Sequence, residues 1–156
     1  MNGIKVLQVA LGELGNCESP PESNNQKYGI WMEYNFAPWC AMFVSWCFDQ
    51  AGINLGFIDH KNGYVGCRTA YNFFVKNNLL TKTPQPGDIV LFDWEGDGKF
   101  DHTGLFMADC HDGINFISIE GNTAIGNNSN GGEVMVRLRK YRQAVFAHPA
   151  VYTQVA

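Results

Sequence analysis

Four side chains in this 156-residue chain suggest chemistry by their types and order: Cys40, His102, Glu120 and Asn122. A cysteine becomes a nucleophile when a base takes its proton, and the base works best when a third group fixes its tautomer. Cys40 lies in A-P-W-C-A-M-F-V-S-W-C-F-D-Q-A-G (37–52), which reads as a helix with the cysteine in its first turn. Pro38 suits a helix start, because its missing N–H is not needed there, and Gly52 suits the stop. Phe43, Val44, Cys47, Phe48 and Ala51 recur at three- and four-residue spacing, so they form one apolar face with Cys40 at its N-terminal end. At that end the unpaired N–H groups and the positive pole of the helix favour thiolate over thiol. Free cysteine otherwise packs as a small hydrophobe, which is the role expected of Cys47 and Cys67.

Two strands must bring the remaining groups together. His102 opens H-T-G-L-F-M-A (102–108), and Glu120 ends I-N-F-I-S-I-E (114–120). If 109–113 is an odd-length connection, Ala108 pairs with Ile114 and position 102 lies directly opposite 120 on one face of the sheet. Asn122 joins that face if the strand continues. A two-residue Asp112–Gly113 turn sets 102 opposite 123 instead and splits the faces, so the odd-length loop is the expectation. His102 then accepts the Cys40 proton and returns it to a leaving amine. Glu120 or Asn122 orients the imidazole, with Asn122 partly able to substitute for Glu120. N–H groups at the start of the cysteine helix serve as oxyanion donors.

The elements that must position these groups follow an α+β order, helices first and then antiparallel strands. Residues 2–14 read as an amphipathic helix with Ile4, Leu7, Leu11 and Leu14 on one side, and 67–78 as another with Ala70, Tyr71 and Phe74 inward. Strands are expected at 89–94, 102–108, 114–120, 132–141 and 144–152, the fourth half-exposed and the last closing the sheet. Residues 121–132 read as a long, flexible loop. The aromatic-rich segment 28–39 lacks clean periodicity and is expected to line a groove beside Cys40, with Trp39, Tyr34 and Asn25 as substrate contacts. The whole chain, 1–156, is expected to form one domain.

Composition removes several function classes. A net charge of −4 with no Lys/Arg cluster argues against a nucleic-acid surface. No apolar stretch approaches the length of a membrane span. Cysteines at 17, 40, 47, 67 and 110 are odd in number and include no C-x-x-C, so neither a disulfide framework nor a structural zinc is expected. The N-terminus is too short and polar for a secretory signal. The expectation is a monomer made in a reducing cytoplasm and carried to any external target by other means.

The blocks P-W-C-A-M-F-V-S-W-C-F (38–48), P-G-D-I-V-L-F (86–92), D-H-T-G-L-F (101–106) and I-E-G-N (119–122) resemble the signatures of CHAP domains. These are cysteine, histidine-dependent amidohydrolases/peptidases with a papain-like α+β fold, N-terminal helices packed on an antiparallel sheet. The resemblance extends to E-S-P-P-E-S-N-N-Q-K-Y-G (18–29). It implies Cys40 as nucleophile, His102 as base, Glu120 as third residue and Asn122 as a further polar residue. It also implies cleavage of bacterial peptidoglycan, between muramic acid and L-alanine or within the stem peptide and cross-bridge, as in phage endolysins and tail-associated lysins. An NlpC-type D,L-endopeptidase shares the Cys–His logic, and a catalytically silent wall-binding module would share the fold. The Glu-Gly-Asn at 120–122 and the complete catalytic set favour the CHAP enzyme over both.

No cofactor is needed for that chemistry. D-W-E-G-D-G-K-F-D (93–101) nevertheless spaces Asp93, Glu95, Asp97 and Asp101 like the first part of a calcium loop. The twelfth position is Gly104 rather than a bidentate glutamate, so a solvated acidic turn that positions Asp101 and His102 is the preferred expectation. The calcium site that some CHAP domains build just upstream of the cysteine does not carry over, because 30–39 hold only Glu33.

Overall fold

The computed structural model describes residues 2–153. Four helices come first: α1 (Asn2–Leu11), α2 (Lys27–Met32), α3 (Cys40–Gln50) and α4 (Cys67–Lys76). Six strands follow: β1 (Leu80–Thr81), β2 (Ile89–Phe92), β3 (His102–Asp109), β4 (Asn115–Thr123), β5 (Glu133–Lys140) and β6 (Ala144–Ala147). They form one antiparallel sheet in the order β1-β6-β2-β3-β4-β5, giving the α+β, papain-like arrangement of N-terminal helices on a sheet. The last strand does not close the sheet at an end. It inserts between β1 and β2 and stops at Ala147.

Helix α3 is buried along most of its length, because α1 and α2 cover one side and β3 and β4 the other. That sandwiching explains why Met42 and Ser45 are buried along with the expected apolar face. α1 is rotated from the expected orientation: Gly3, Val6, Leu7 and Ala10 face inward while Ile4, Leu11 and Leu14 are exposed. The cause is close backbone approach. A Cβ on Gly3 would lie 2.2 Å from the Pro86 carbonyl oxygen, so only the glycine edge of α1 fits against the Pro86–Gly87 turn. The segment expected to be irregular begins instead with α2, capped by the Gln26 side chain accepting from the Gly29 N–H.

The β3–β4 register departs from the expected one in a way that matters for the site. The hairpin closes over Asp112–Gly113, with Cys110 N–H donating to Asn115 O, and Asp109 pairs with Phe116. Continued unchanged, that even register would place Glu120 on the face opposite His102. A bulge at Met107 offsets β3 by one residue, so Phe106 pairs with Ser118 and Leu105 with Ile119. His102 and Glu120 thereby share a face, as diagonal neighbours rather than direct partners. The odd residue sits in the strand, not in the loop.

The sheet is covered on both faces. One face packs on the helices; the other carries a cluster of Phe92, Phe106, Phe116 and Phe146 with Val90, and Trp94 and Tyr141 pack against it. β5 also reverses the expected sidedness in its second half, where Val136 and Leu138 are exposed and Arg139 is buried. The 121–132 segment is pinned rather than loose: Arg137 donates to Ala124 O and Asn128, Trp94 to Ser129, and the Asn127 side chain donates to Asn130 O and accepts the Asn130 N–H.

Candidate active site

Cys40 is the first residue of α3. Its N-cap, Trp39, makes no side-chain capping bond, so the N–H groups of the first turn are left without a side-chain acceptor. Trp39 itself is wholly buried, which corrects its expected place in a substrate groove. Its indole N–H donates to Glu18 Oε2 at 3.1 Å and its ring stacks on Tyr28, so it anchors the α3 N-terminus from behind. Tyr34 is exposed and meets His60 edge-on. Asn25 braces its own loop, donating to Ser19 O and accepting from Asn35. The cleft beside Cys40 is walled instead by Pro38, Val65, Cys67, Arg68, Phe100 and Asp101.

His102, at the start of β3, stands on the aromatic face beside Phe92 and Trp94. Its Nε2 lies 2.8 Å from Glu120 Oε1, and both side chains are fully buried. Arg139, stacked over Trp94, grips the Glu120 carboxylate with two donors, Nε at 2.8 Å and Nη2 at 2.5 Å. The Ser118 hydroxyl donates to Oε2, the oxygen that also accepts from Arg139 Nε. Burial opposes ionisation of Glu120, but Arg139 and His102 outweigh it and bring its pKa down to about 2. Burial likewise opposes protonation of His102, yet the neighbouring Cys40 sulfur and the Glu120 carboxylate raise it to about 9.

Cys67, which walls the same cleft, is the largest influence on the Cys40 thiol. Against the cost of burial, it acts together with His102 and the Thr103 N–H to hold the thiol well below its ordinary range. The two shifts run in the directions that favour a thiolate–imidazolium pair. His102 Nδ1 is buried and makes no well-aligned hydrogen bond. Cys47 behaves as packing: it lies in the core, where burial raises its pKa.

Asn122 does not join His102. A second bulge, between Glu120 and Thr123, puts Asn122 in a left-handed conformation (φ 55°), and its amide turns to Asn130 Oδ1 and the Gly132 N–H. Glu120 alone orients the imidazole, so the expected partial substitution has no contact behind it. Two glycines in the resembling blocks have steric reasons. A Cβ on Gly121 would lie 2.6 Å from the Phe43 Cβ, and one on Gly104 would lie 2.6 Å from the Glu120 Cγ. Gly104→Ala should thus push Glu120 off the imidazole. We expect a loss of about 1–3 kcal/mol of stability in thermal unfolding and a drop in kcat that exceeds any change in KM.

The acidic run does not gather around a point. Asp93 accepts the N–H groups of Gly96, Asp97 and Gly98, Asp97 accepts that of Lys99, and Asp101 faces Arg68 at 3.8 Å. Glu95 is exposed. No group of three or more metal-ligating side chains occurs among the described residues.

Sequence reasoning missed Arg139 and Cys67. The signal for Arg139 was its phase, opposite to Val134, Val136 and Leu138, which puts it on the face shared with Glu120. The signal for Cys67 was its place right after Gly66, where a second helix begins. Among known families, the model described as the CHAP domain matches residues 31–122, from α2 to the end of the Glu-Gly-Asn block. β5 and Arg139 lie beyond that match. No curated protein matches the chain.

Proposed function

Because the chain belongs to the CHAP domain family, we propose that it hydrolyses an amide bond of bacterial peptidoglycan through a cysteine acyl-enzyme. The observation that carries this reading is the buried His102–Glu120 pair, Nε2 to Oε1 at 2.8 Å, with Cys40 close enough for its sulfur and the imidazole to shift one another's pKa. The Cys40 thiolate adds to the amide carbonyl carbon, and the oxyanion faces the uncapped N–H groups at the start of α3. His102 gives its Nδ1 proton to the leaving amine as the C–N bond breaks. The neutral ring then takes a proton from water, whose oxygen attacks the thioester and releases the carboxylate with Cys40 restored. Glu120, fixed by Arg139, keeps the ring turned and stabilises its positive charge.

The substrate classes that fit are the N-acetylmuramoyl-L-alanine amide and the stem-peptide or cross-bridge amides. The exposed Arg68 and Asp101 at the cleft suit a charged peptide. In this reading the protein acts as a monomeric lysin of phage type, made in the cytoplasm and meeting the wall after release or delivery. Among the described residues no helix is long and apolar enough to cross a membrane.

The test is digestion of purified peptidoglycan by the wild type and by Cys40→Ala, with mass spectrometry of the fragments. Stem peptides beginning at L-alanine identify an amidase; cut stems or bridges identify an endopeptidase. Walls of several chemotypes left intact by the wild type would reject the proposal. Since thiolate, imidazole and backbone N–H groups supply every step, cleavage is expected to persist in excess EDTA. Loss of activity there, restored by calcium, would assign a role to the 93–101 loop.

A further inference from the structure

We infer that Asn128 and Ser129 are positioning residues: from the 122–132 segment they hold Arg139 and Trp94 in place over the Glu120–His102 pair. The inference rests on the reading of that pair as the base and its orienting group. Arg139 grips Glu120 with Nε and Nη2, and its Cζ lies 4.8 Å from the centre of the Trp94 ring. The Trp94 ring in turn lies 6.0 Å from that of His102, at an interplanar angle of 27°. Each member of this stack has a donor left over, and two adjacent residues accept both. Asn128 Oδ1 accepts from Arg139 Nη1 at 3.0 Å, and Ser129 Oγ accepts the Trp94 indole N–H at 2.6 Å.

The segment is built to carry these two contacts. Asn122 closes its base: the side chain donates to Asn130 Oδ1 at 3.0 Å and accepts the Gly132 N–H at 3.1 Å, while the carbonyl accepts the Gly131 N–H. Asn122 thus points away from His102 yet acts on it through the segment it closes. Arg137, two residues before Arg139 on β5, donates to the Ala124 carbonyl and to Asn128 Oδ1, both at 2.9 Å. One amide oxygen therefore sits between two like-charged guanidiniums. Without it Arg139 keeps Glu120 and a longer contact to Thr123 Oγ1 at 3.4 Å. A guanidinium fixed from both sides presents the carboxylate to His102 Nε2 in one orientation, with that order paid on folding rather than in each turnover. Trp94, held by Ser129, keeps water from a pair that is fully buried, where its electrostatic coupling is strongest. Asn128, Ser129 and Arg139 all follow residue 122, where the family match ends.

The experiment compares the wild type with Asn128→Ala/Ser129→Ala and with Asn128→Asp/Ser129→Thr, which keeps an oxygen acceptor at each place. Asn128 is exposed and Ser129 half-buried, so truncation leaves the core packing intact. Two quantities are read: kcat and KM on peptidoglycan fragments, and, by proton NMR, the exchange with water of the His102 Nε2 proton bonded to Glu120. In the alanine variant we expect kcat to fall about 10- to 100-fold with KM little changed, as a small misplacement of a catalytic group costs. Proton exchange should quicken about tenfold, because the pair opens more easily once a hydrogen bond is lost. The Asp/Thr variant should restore most of both. An unchanged kcat or an unchanged exchange rate in the folded alanine variant overturns the inference, and so does an equal loss in the Asp/Thr variant. If the double alanine variant does not fold, Ser129→Ala alone is read in the same way. A wild type that leaves every wall intact would instead reject the hydrolase reading, while the proton exchange still decides the role of the two residues.

Discussion

Cys40→Ala and His102→Ala should each lower peptidoglycan cleavage by at least about 10⁴-fold, as loss of a nucleophile or its base does in other triads. Both variants should still fold. Removing one sulfur leaves α3 packed against β3, β4, α1 and α2, and removing the imidazole leaves Glu120 paired with Arg139. Circular dichroism and a thermal melt separate lost chemistry from lost structure; full activity in either folded variant rejects the assignment. The wild-type pH profile carries the second half of this prediction. Cys40 is ionised below the usual thiol range and His102 holds its proton to about 9. The thiolate–imidazolium form therefore fills the window between them, and kcat/KM should fall above about 9, where the ring loses the proton that the leaving amine needs. A rate that instead climbs through the ordinary cysteine range would mean a neutral resting pair.

Arg139→Met should be the most destabilising single change in the site. It leaves a fully buried carboxylate with only the imidazole and the Ser118 hydroxyl as partners. Breaking a buried ion pair from one side costs about 3–5 kcal/mol, and the surviving imidazolium argues for the lower end. For a domain of this size that lowers the melting temperature by roughly 6–12 °C. The sign with pH is fixed. Glu120 is depressed to about 2, so its stabilising contribution is present above the unfolded carboxylate range and is lost as pH falls through the folded value. In Arg139→Met the folded pKa rises, so the deficit should be largest at neutral pH and narrow in acid. The double variant Glu120→Gln with Arg139→Met should be less destabilised than Arg139→Met alone, because no uncompensated charge remains. A double variant as unstable as the single would show that Arg139 matters by packing on Trp94 and Phe92 rather than by charge.

The sequence by itself determined the parts that local physics decides. A cysteine in the first turn of an apolar helical pattern, a histidine opening one strand and a glutamate ending the next were legible from spacing. So was the helices-then-strands order, because the periods of 3.6 and 2 are local properties. The burial of α3 followed from its apolar run. Tertiary structure decided wherever two distant segments had to agree. Whether His102 and Glu120 share a face depended on one residue of register. The turn took the even register, and the Met107 bulge, which no local propensity marks, restored the alignment. α1 turned a different edge inward because backbone at Gly3 had to meet backbone at Pro86. Trp39 went to the core because Glu18, twenty-one residues earlier, accepts its indole N–H. Arg139 acquired its role the same way, through a partner on another element: a buried ion pair is a pairwise quantity, and each sequence position carries only half of the pair.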